Sequence, residues 1–511
     1  MKQTRKLLSI LLALAMVCAL ATTAFATDTG SAATYTITAP DNGHTYEVYQ
    51  IFTGDLDENV LSNVKWGKNG TGTEGTAVSD SVLSELQNAS GSDTEKLAVI
   101  TKYVSLSSDE YGTVTNAAPL TSVPAGYYLI KDVDGQFAGQ DDAYTLYIVQ
   151  IVDNVTIAPK SAKPTVDKQV HDETTDAEDG ATDGWGESAD HAINESFQFK
   201  LIANLPEDTD FAAYSTYKVV FTDTMSTGVT FESIASVTVD GVTLSAAQYT
   251  ASATAGQAGG SWTLTIEDIK AIEGVNLTDG ADIVVIYNAH LNANAYVNTQ
   301  DGNTTNLNKV YLEYSNNPNA SGSGELGKTP EDTVWVFTYT MQNTKYADQA
   351  ATGKELEGAG FKLYTDADCT NEYPLIKDES SDFYRPTASG ETGVEMMSGE
   401  NGKFNIKGLD TGTYYLKETT TPAGYNTCDV IKVVISATHA ENEARTDATT
   451  DITMTVNDVA ATENNVVNNS GTTLPETGGI GTTIFYTVGG ILVLVAVVLL
   501  VTKKRMNGAE V

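Results

Sequence analysis

The sequence predicts an all-β protein made of serial β-sandwich domains, preceded by an export signal and followed by a membrane anchor. Short runs rich in Val, Ile, Thr, Tyr and Phe alternate with Gly, Asn and Asp, which is typical of strands separated by turns. Residues 197–201 and 310–314 show the period of two expected of half-buried strands. The length of 511 residues suits about three domains. A helical period occurs only locally, at residues 79–104, where one or two helices are expected.

The first 26 residues have the composition of a secretory signal peptide, which is removed and takes no part in the fold. Basic residues at the start are followed by an apolar stretch at residues 7–20. Ala24 and Ala26 form a small-x-small cleavage site, so the mature chain is expected to begin at Thr27.

The charge and composition exclude several functions. Acidic residues outnumber basic residues by 67 to 29, which gives a formal net charge of −38. Proteins bind nucleic acid by neutralising phosphates with Lys and Arg, so no nucleic-acid partner is expected. The charge suits a soluble, self-repelling exported surface. There are only five histidines and no Cys/His cluster, and catalytic motifs such as G-x-S-x-G and H-E-x-x-H are absent. We therefore expect no metal, no cofactor and no enzymatic active site.

The cysteines limit the role of disulfides. Of the three cysteines, Cys18 is removed with the signal peptide, which leaves Cys369 and Cys428. An even pair in an exported chain predicts one disulfide, and two unpaired thiols are the alternative. In either case, disulfides do not hold most of this protein together.

The C-terminal region, residues 471–511, has the features of a membrane anchor. Residues 480–501 carry no charge, and a helix of that length, at 1.5 Å per residue, just spans a hydrocarbon core of about 30 Å. The basic cluster Lys503-Lys504-Arg505 then fixes the short end in the cytoplasm and the long part of the chain outside.

A pentapeptide, Leu474-Pro475-Glu476-Thr477-Gly478, precedes this apolar run. The order of pentapeptide, apolar span and basic tail resembles the LPXTG cell-wall sorting signal of Gram-positive surface proteins. The resemblance implies that a sortase cleaves between Thr477 and Gly478, holds the threonine carbonyl as a thioester and passes it to an amine. It also implies that the membrane helix is only a transient anchor and that the protein becomes attached to peptidoglycan.

The first domain is expected at residues 27–160 and ends in Ala158-Pro159-Lys160. This ending resembles the pilin motif of sortase-assembled pili, although tyrosine is usual where Ala158 stands and the family's upstream tryptophan is missing. The resemblance implies that the amine of Lys160 attacks the neighbour's thioester. A lysine at a domain end, just after a proline, is also accessible to a bulky acyl-enzyme, provided that its amine is deprotonated. Lys163 is the alternative.

A fainter likeness to a B-type collagen-adhesin domain occurs inside the first domain, at residues 125–132. It suggests a B-type-like sandwich there. Asp132 stands where such domains carry glutamate, and no inward-facing lysine is evident as its partner. We therefore expect no internal cross-link in this domain.

The middle domain is expected at residues 161–332. Val166, Lys168 and Val170 fall on one face of a predicted strand, which directs a lysine into an apolar core where unpaired lysines are rare. This segment, together with residues 219–225 and 308–316, resembles collagen-adhesin A-type (Cna A-like) pilin domains.

That resemblance implies an intramolecular isopeptide bond between Lys168 and Asn308, with Asp223 as the assisting acid. Burial favours the neutral forms of an amine and a carboxylic acid, so a neutral lysine could attack the amide while the acid transfers protons. Asn306 and Asn316 are alternatives for the amide. An ion pair of Lys168 with Asp223, without a covalent bond, is the simpler interpretation.

The C-terminal domain is expected at residues 333–470. A period of two from Trp335 onwards again ends in an inward lysine, Lys345. Residues 414–425, YYLKETTTPAGY, resemble the E-box of collagen-adhesin B-type (Cna B-like) domains and depart from it only by a threonine where alanine is usual. The resemblance implies a Lys345–Asn468 isopeptide bond assisted by Glu418, with Asn469 as the alternative amide.

The resemblances together imply Ig-like Cna A-/B-type sandwiches in a structural protein, the backbone subunit of a covalent pilus. Sortase would join Thr477 of one copy to Lys160 of the next, so the expected partners are sortase, other copies of the chain, minor pilins and peptidoglycan. The only chemistry expected of the chain itself is formation of its internal bonds. The alternative is a wall-anchored monomeric adhesin, or a tip or basal pilin, that binds host ligands at the cell surface.

Overall fold

The computed structural model describes residues 33–57, 60–89, 99–160, 162–172, 184–207, 214, 216–275, 277, 280–298, 305–316, 326–442, 446–471 and 480–507. The predicted signal peptide and the pentapeptide at 474–478 lie outside these ranges. Strands dominate the described residues, which confirms the all-β prediction.

The N-terminal domain is a two-layer sandwich with a helix on its outer side. Its elements are β1 (Thr34–Thr38), β2 (Tyr46–Asp57), β3 (Val60–Trp66), α1 (Asp80–Asn88), a 3₁₀ helix (Thr101–Tyr103), β4 (Gly112–Val114), β5 (Leu120–Pro124), β6 (Gly126–Asp132), β7 (Leu146–Ile151) and β8 (Val155–Thr156). One sheet has the order β5-β1-β8, and the other has the order β3-β2-β6-β7 with β4 paired to β2. Every residue of β6 is buried, because one face packs on the smaller sheet and the other lies towards α1. The helix lies within the predicted segment.

The middle domain is built around one long strand. Its strands are β9 (Thr165–His171), β10 (Trp185–Gly186), β11 (Ser188–Asp190), β12 (Ser196–Leu205), β13 (Val219–Val239), β14 (Val242–Thr243), β15 (Thr250–Ala251), β16 (Ala258–Ile266), β17 (Ala281–Leu291), β18 (Asn306–Ser315), β19 (Leu326–Lys328) and β20 (Asp332–Phe337). Residues 219–225 of β13 pair with β16 and β18, whereas residues 229–239 pair with β17. β13 therefore belongs to both layers that enclose the core.

The predicted alternation is present in this domain. Phe199 on β12 and Leu312 on β18 are fully buried in the same core cluster. Lys168 and Val170 on β9 are also fully buried, as expected of one inward face.

The C-terminal domain contains three groups of strands. They are β21 (Tyr339–Met341), β22 (Asn343–Ala347), β23 (Gly360–Tyr364), β24 (Glu372–Tyr373), β25 (Leu375–Lys377), β26 (Tyr384–Pro386), β27 (Met396–Met397), β28 (Ile406–Leu409), β29 (Gly412–Thr420), β30 (Ile431–Glu441), β31 (Ala448–Val456), β32 (Val459–Ala460) and β33 (Asn464–Asn468). One sheet has the order β21-β28-β26-β25, and another has the order β24-β23-β29-β30-β31-β32 with β27 on β23. β22 and β33 form a parallel pair, which joins the two ends of the domain.

The strand β20 belongs to two domains at once. It pairs with β18 and β11 in the sheet of the middle domain. Val334 and Val336 pack in the core of the middle domain, while Trp335 and Phe337 pack in the core of the C-terminal domain. The domain boundary expected at residues 332/333 thus falls in a strand whose two faces serve different cores.

The chain ends in α2 (Ile480–Asn507). Its segment Phe485–Lys504 is long and apolar enough to cross a membrane, by length and composition. This agrees with the predicted C-terminal anchor.

Candidate functional sites

The first candidate site lies where the two ends of the C-terminal domain meet. Lys345 on β22 and Asn468 at the end of β33 are buried, and Nζ of the lysine lies 2.5 Å from Oδ1 of the asparagine. Glu418 on β29 completes the group: the Asn468 amide nitrogen donates to its Oε1 at 2.6 Å, and the lysine Nζ lies 3.7 Å from the same oxygen. The three side chains predicted from the E-box resemblance are therefore together.

Strand register explains this meeting. In the parallel pair, Lys345 lies opposite Val466 and Ala347 lies opposite Asn468, so the lysine and the asparagine are two positions apart along the strands. Side chains two positions apart point to the same face. Asn469, the alternative amide, is exposed, which favours Asn468 as the residue in the core.

The surroundings favour a neutral amine. Burial lowers the pKa of Lys345, and the ring of Phe361 lies 5.4 Å from its Nζ. Glu418 is held by the backbone N–H of Cys428, which donates to its other oxygen at 2.8 Å. An amine whose pKa is lowered by burial, an amide and a carboxyl group in contact have the composition required for amide exchange.

The second candidate site lies in the core of the middle domain. Lys168 on β9 contacts Asp223 on β13 directly, and both side chains are fully buried. Asn308 on β18 is also fully buried, and its Nδ2 lies 2.5 Å from the hydroxyl of Tyr287 on β17. That hydroxyl is in turn 3.1 Å from Asp223 and 3.4 Å from Lys168.

Burial shifts the acid and the amine towards their neutral forms. It lowers the pKa of Lys168 and raises that of Asp223, although each partly opposes the other's shift by charge attraction. Trp262 donates its indole N–H to the other oxygen of Asp223 at 3.1 Å. Oδ1 of Asn308 is buried and has no hydrogen-bond partner among the described residues.

The two alternative amides of the middle domain have other partners. Asn306 accepts from the backbone N–H of Tyr296 at 2.9 Å and donates to the carbonyl of Val336 at 3.1 Å. Asn316 accepts from the backbone N–H of Tyr144 at 3.1 Å, which links the middle domain to the N-terminal one. Among the three asparagines, Asn308 is the one that reaches the lysine–aspartate group through Tyr287.

The third candidate site is the segment that contains Lys160. Lys160 and the preceding Pro159 are partly exposed, just after the buried Ile157. The backbone N–H of Lys160 donates to Oγ1 of Thr145 at 3.1 Å.

The competing lysine is engaged in an ion pair. Nζ of Lys163 lies 2.6 Å from the carboxylate of Asp141 and also donates to the same residue's carbonyl at 3.1 Å. The pair is partly exposed, so it restrains the amine without burying it.

The structure adds a buried lysine that the sequence analysis did not name. The N-terminal domain does contain a buried lysine, Lys131, which is 2% exposed and lies 2.7 Å from Glu47 and 2.9 Å from Asp134. Lys131 is thus held by ion pairs with these two acids. The side chain of the neighbouring Asp132 hydrogen-bonds to His44 and to the backbone N–H of Thr145, and not to Lys131.

The predicted disulfide is absent, because Cys369 and Cys428 are both free thiols. Cys369 lies in the turn after β23 with a positive φ of 52°, whereas Cys428 packs against the C-terminal core beside Glu418. The two side chains thus lie in different parts of the domain, one in a turn and the other against the core. Burial raises the pKa of Cys428 to about 11.

Sequence reasoning missed Tyr287 and Trp262 as members of the middle site. Both follow the alternation of their strands, which signals that they are buried but not what they contact. A buried tyrosine needs a partner for its hydroxyl, and that requirement is the only hint the sequence offers.

Three family models match parts of the chain. Residues 198–318 match the Gram-positive pilin backbone subunit 2, Cna-B-like domain, and residues 342–450 match the SpaA prealbumin-like fold domain. Residues 466–508 match the LPXTG cell wall anchor motif. The model for the middle domain is described as Cna-B-like, whereas the sequence analysis related this domain to the A type. No curated protein sequence matches the chain.

Several solved structures of pilins are similar in outline. The T6 backbone pilin of Streptococcus pyogenes serotype M6 is 18% identical with a TM-score of 0.47, over 86% of this chain and 98% of that one. The major pilin SpaD of Corynebacterium diphtheriae is 17% identical with a TM-score of 0.42, over 87% and 99%. The major pilin BcpA of Bacillus cereus is 14% identical with a TM-score of 0.41, over 86% and 100%.

The anchor match at the C-terminus defines the class: a surface protein of Gram-positive bacteria that is attached to the cell wall. Within that class the chain carries a domain of the pilin backbone type, since residues 198–318 match the pilin backbone model.

Proposed function

We propose that this chain is the shaft subunit of a covalent pilus, joined head to tail by sortase and stabilised inside each subunit by two Lys–Asn isopeptide bonds. The observation that carries the proposal is the buried contact of Lys345, Asn468 and Glu418 at the meeting point of the domain ends. It occurs in a chain that also has the pilin backbone domain and the wall anchor.

The internal reaction is an amide exchange. The neutral amine of Lys345 attacks the side-chain carbonyl carbon of Asn468, a new C–N bond forms, and the bond to Nδ2 breaks as ammonia leaves. Glu418 contacts the departing nitrogen, so it is placed to move the proton that the lysine loses onto that nitrogen. Lys168 and Asn308 react in the same way, with Asp223 as the acid beside the lysine.

The benefit of the C-terminal bond is mechanical and thermodynamic. Lys345 and Asn468 are 123 residues apart in sequence, so the bond closes a loop that includes most of the domain. In the chain-entropy model, closing a loop of that size stabilises the fold by about 5 kcal/mol. A tensile load applied between the end strands would then be carried by covalent bonds.

Subunits are joined through a different lysine, Lys160. The Lys160 amine attacks the thioester that sortase holds on Thr477 of another copy; an amide forms, the carbon–sulfur bond breaks, and the amine proton returns to the enzyme's thiol. Such a contact joins two different surfaces, so it does not close and produces filaments. The place of Lys160 at the end of the N-terminal domain, just after Pro159, and its partial exposure support it as the acceptor.

An SDS gel of cell-wall extract tests the linkage. Cells that express wild type should give a ladder of high-mass species, and Lys160→Ala should reduce it to monomer. Lys163→Ala is the matched control and should leave the ladder intact. A ladder that survives Lys160→Ala and disappears with Lys163→Ala would move the linkage to Lys163. The absence of any ladder in wild type would instead favour a monomeric wall-anchored adhesin.

A further inference from the structure

The segment that carries Lys160 is held to the N-terminal domain at successive points. The backbone N–H of Ile157 donates to β1 at 2.8 Å, and its side chain is buried in the core. The N–H of Lys160 then donates to Oγ1 of Thr145. The chain is therefore fixed up to the lysine itself.

Pro159 makes the last of these bonds the important one. Proline has no N–H, so the N–H of Lys160 is the first backbone donor after that of Ala158. Thr145 is 1% exposed, and its hydroxyl is the acceptor for that donor. Its loss would leave the lysine backbone without this restraint.

Thr145 is itself held by a chain of buried polar groups. Its N–H donates to Oδ2 of Asp132 at 2.7 Å, and its carbonyl accepts from the N–H of the same residue at 3.0 Å. Oδ1 of Asp132 lies 3.1 Å from Nδ1 of His44. Asp132 is fully buried and His44 is 5% exposed, so the whole group is shielded from water. Buried hydrogen-bond networks of this kind fix the geometry of their members.

We propose that Thr145 is a positioning residue for the linkage of subunits, and that Asp132 and His44 hold it in place. The proposal rests on the function proposed above, in which Lys160 is the sortase acceptor. Fixing the backbone at Lys160 removes part of the entropy that would otherwise be lost when the acyl-enzyme binds it. The aspartate at the E-box-like position of this domain thus supports the intermolecular bond, whereas Glu418 supports an intramolecular one.

The test substitutes the hydroxyl with minimal change of shape. Thr145→Val removes Oγ1, Thr145→Ser retains it, and Thr156→Val makes the same change on β8, where the hydroxyl faces Thr38 and not Lys160. Full-length variants are expressed in cells that contain the sortase, and the growth of the wall-extracted ladder is followed after induction. Thr145→Val should polymerise about ten-fold more slowly than wild type. Thr145→Ser and Thr156→Val should polymerise at the wild-type rate.

Hydrogen–deuterium exchange of the exported protein separates positioning from general damage. In Thr145→Val, exchange should rise in the peptide that contains Lys160 and stay unchanged in peptides from β2 and β6. Thr145→Ala is the second variant if valine does not fit. A folded variant that exchanges faster at Lys160 but still polymerises at the wild-type rate would overturn the proposal. Normal polymerisation of Lys160→Ala would instead overturn the assignment of the acceptor, which is a separate result.

Discussion

Nζ of Lys345 and Oδ1 of Asn468 lie 2.5 Å apart across a parallel strand pair, although the residues are 123 positions apart in sequence. No local interaction could bring them together, so their contact depends on complete folding of the domain. The bond proposed between them would therefore form only in molecules that are already native. Folded molecules would therefore carry a covalent bond that unfolded ones lack, and a measurement of mass can detect this difference.

Removal of the acid should prevent that change. In Glu418→Gln the amide and the lysine remain, but the group that relays the proton is lost. We expect the C-terminal bond to be absent, so the intact mass of the ectodomain should exceed that of the bonded form, corrected for the substitution, by about 17 Da, the mass of one ammonia. The free energy of unfolding of this domain should fall by about 5 kcal/mol.

The matched control is Glu372→Gln, which alters an exposed acid of the same domain that is paired with Lys362 at 2.8 Å. It should retain the bonded mass and change stability by less than about 1 kcal/mol. Wild-type protein with the mass of an unmodified chain would refute both internal bonds.

Tyr287→Phe separates a structural hydroxyl from a catalytic one in the middle domain. The hydroxyl touches Asp223, Lys168 and Asn308, but the amine, the acid and the amide all remain in the variant. We expect the Lys168–Asn308 bond still to form, more slowly, because the amide loses a partner that orients it. Asp223→Asn should abolish the bond. Intact mass measured over time after synthesis follows both variants, and complete loss in Tyr287→Phe would make the tyrosine a proton relay.

The mature protein should contain two alkylatable thiols without any reductant. Iodoacetamide applied to unfolded, unreduced protein should modify both Cys369 and Cys428, since neither is in a disulfide. In the native protein Cys428 should react much more slowly, because it packs against the core and burial raises its pKa to about 11. Peptide mapping by mass spectrometry measures both. Modification that appears only after reduction would show that the disulfide forms.

The C-terminal domain should lose stability in mild acid. Burial lowers the pKa of His439 from 6.5 to about 4, and its Nε2 lies 3.0 Å from the hydroxyl of Tyr339. Between these pH values the unfolded chain binds a proton that the folded domain does not, so stability is complete above pH 6.5 and falls as the pH decreases to 4. The loss should reach about 3 kcal/mol.

Urea unfolding at a series of pH values measures this loss. His439→Gln should flatten the dependence, while His290→Gln, in the middle domain, should leave it unchanged. If the free energy of unfolding depends on pH equally in wild type and His439→Gln, the acid sensitivity belongs to other groups.

Some predictions failed for reasons that can be named. The buried Lys131 was missed because period-two reasoning assumes that one face of a strand is exposed, whereas both faces of β6 are covered. The disulfide was predicted from the number of cysteines, but pairing requires close and correctly directed Cβ atoms, which counting cannot supply. Tyr287 was missed because alternation indicates burial and not partners.

The sequence by itself determined the class of fold, the order of the domains, the anchor and the inward direction of Lys168 and Lys345, because these depend on short-range periodicity and local motifs. Only the tertiary structure decided that Asn468 lies beside Lys345, that Tyr287 stands between Lys168 and Asn308, that β20 serves two cores, and that Thr145 holds the backbone of Lys160. Those relationships join residues that are distant in sequence. They are fixed by strand register and by the packing of both faces of each sheet, which no local pattern encodes.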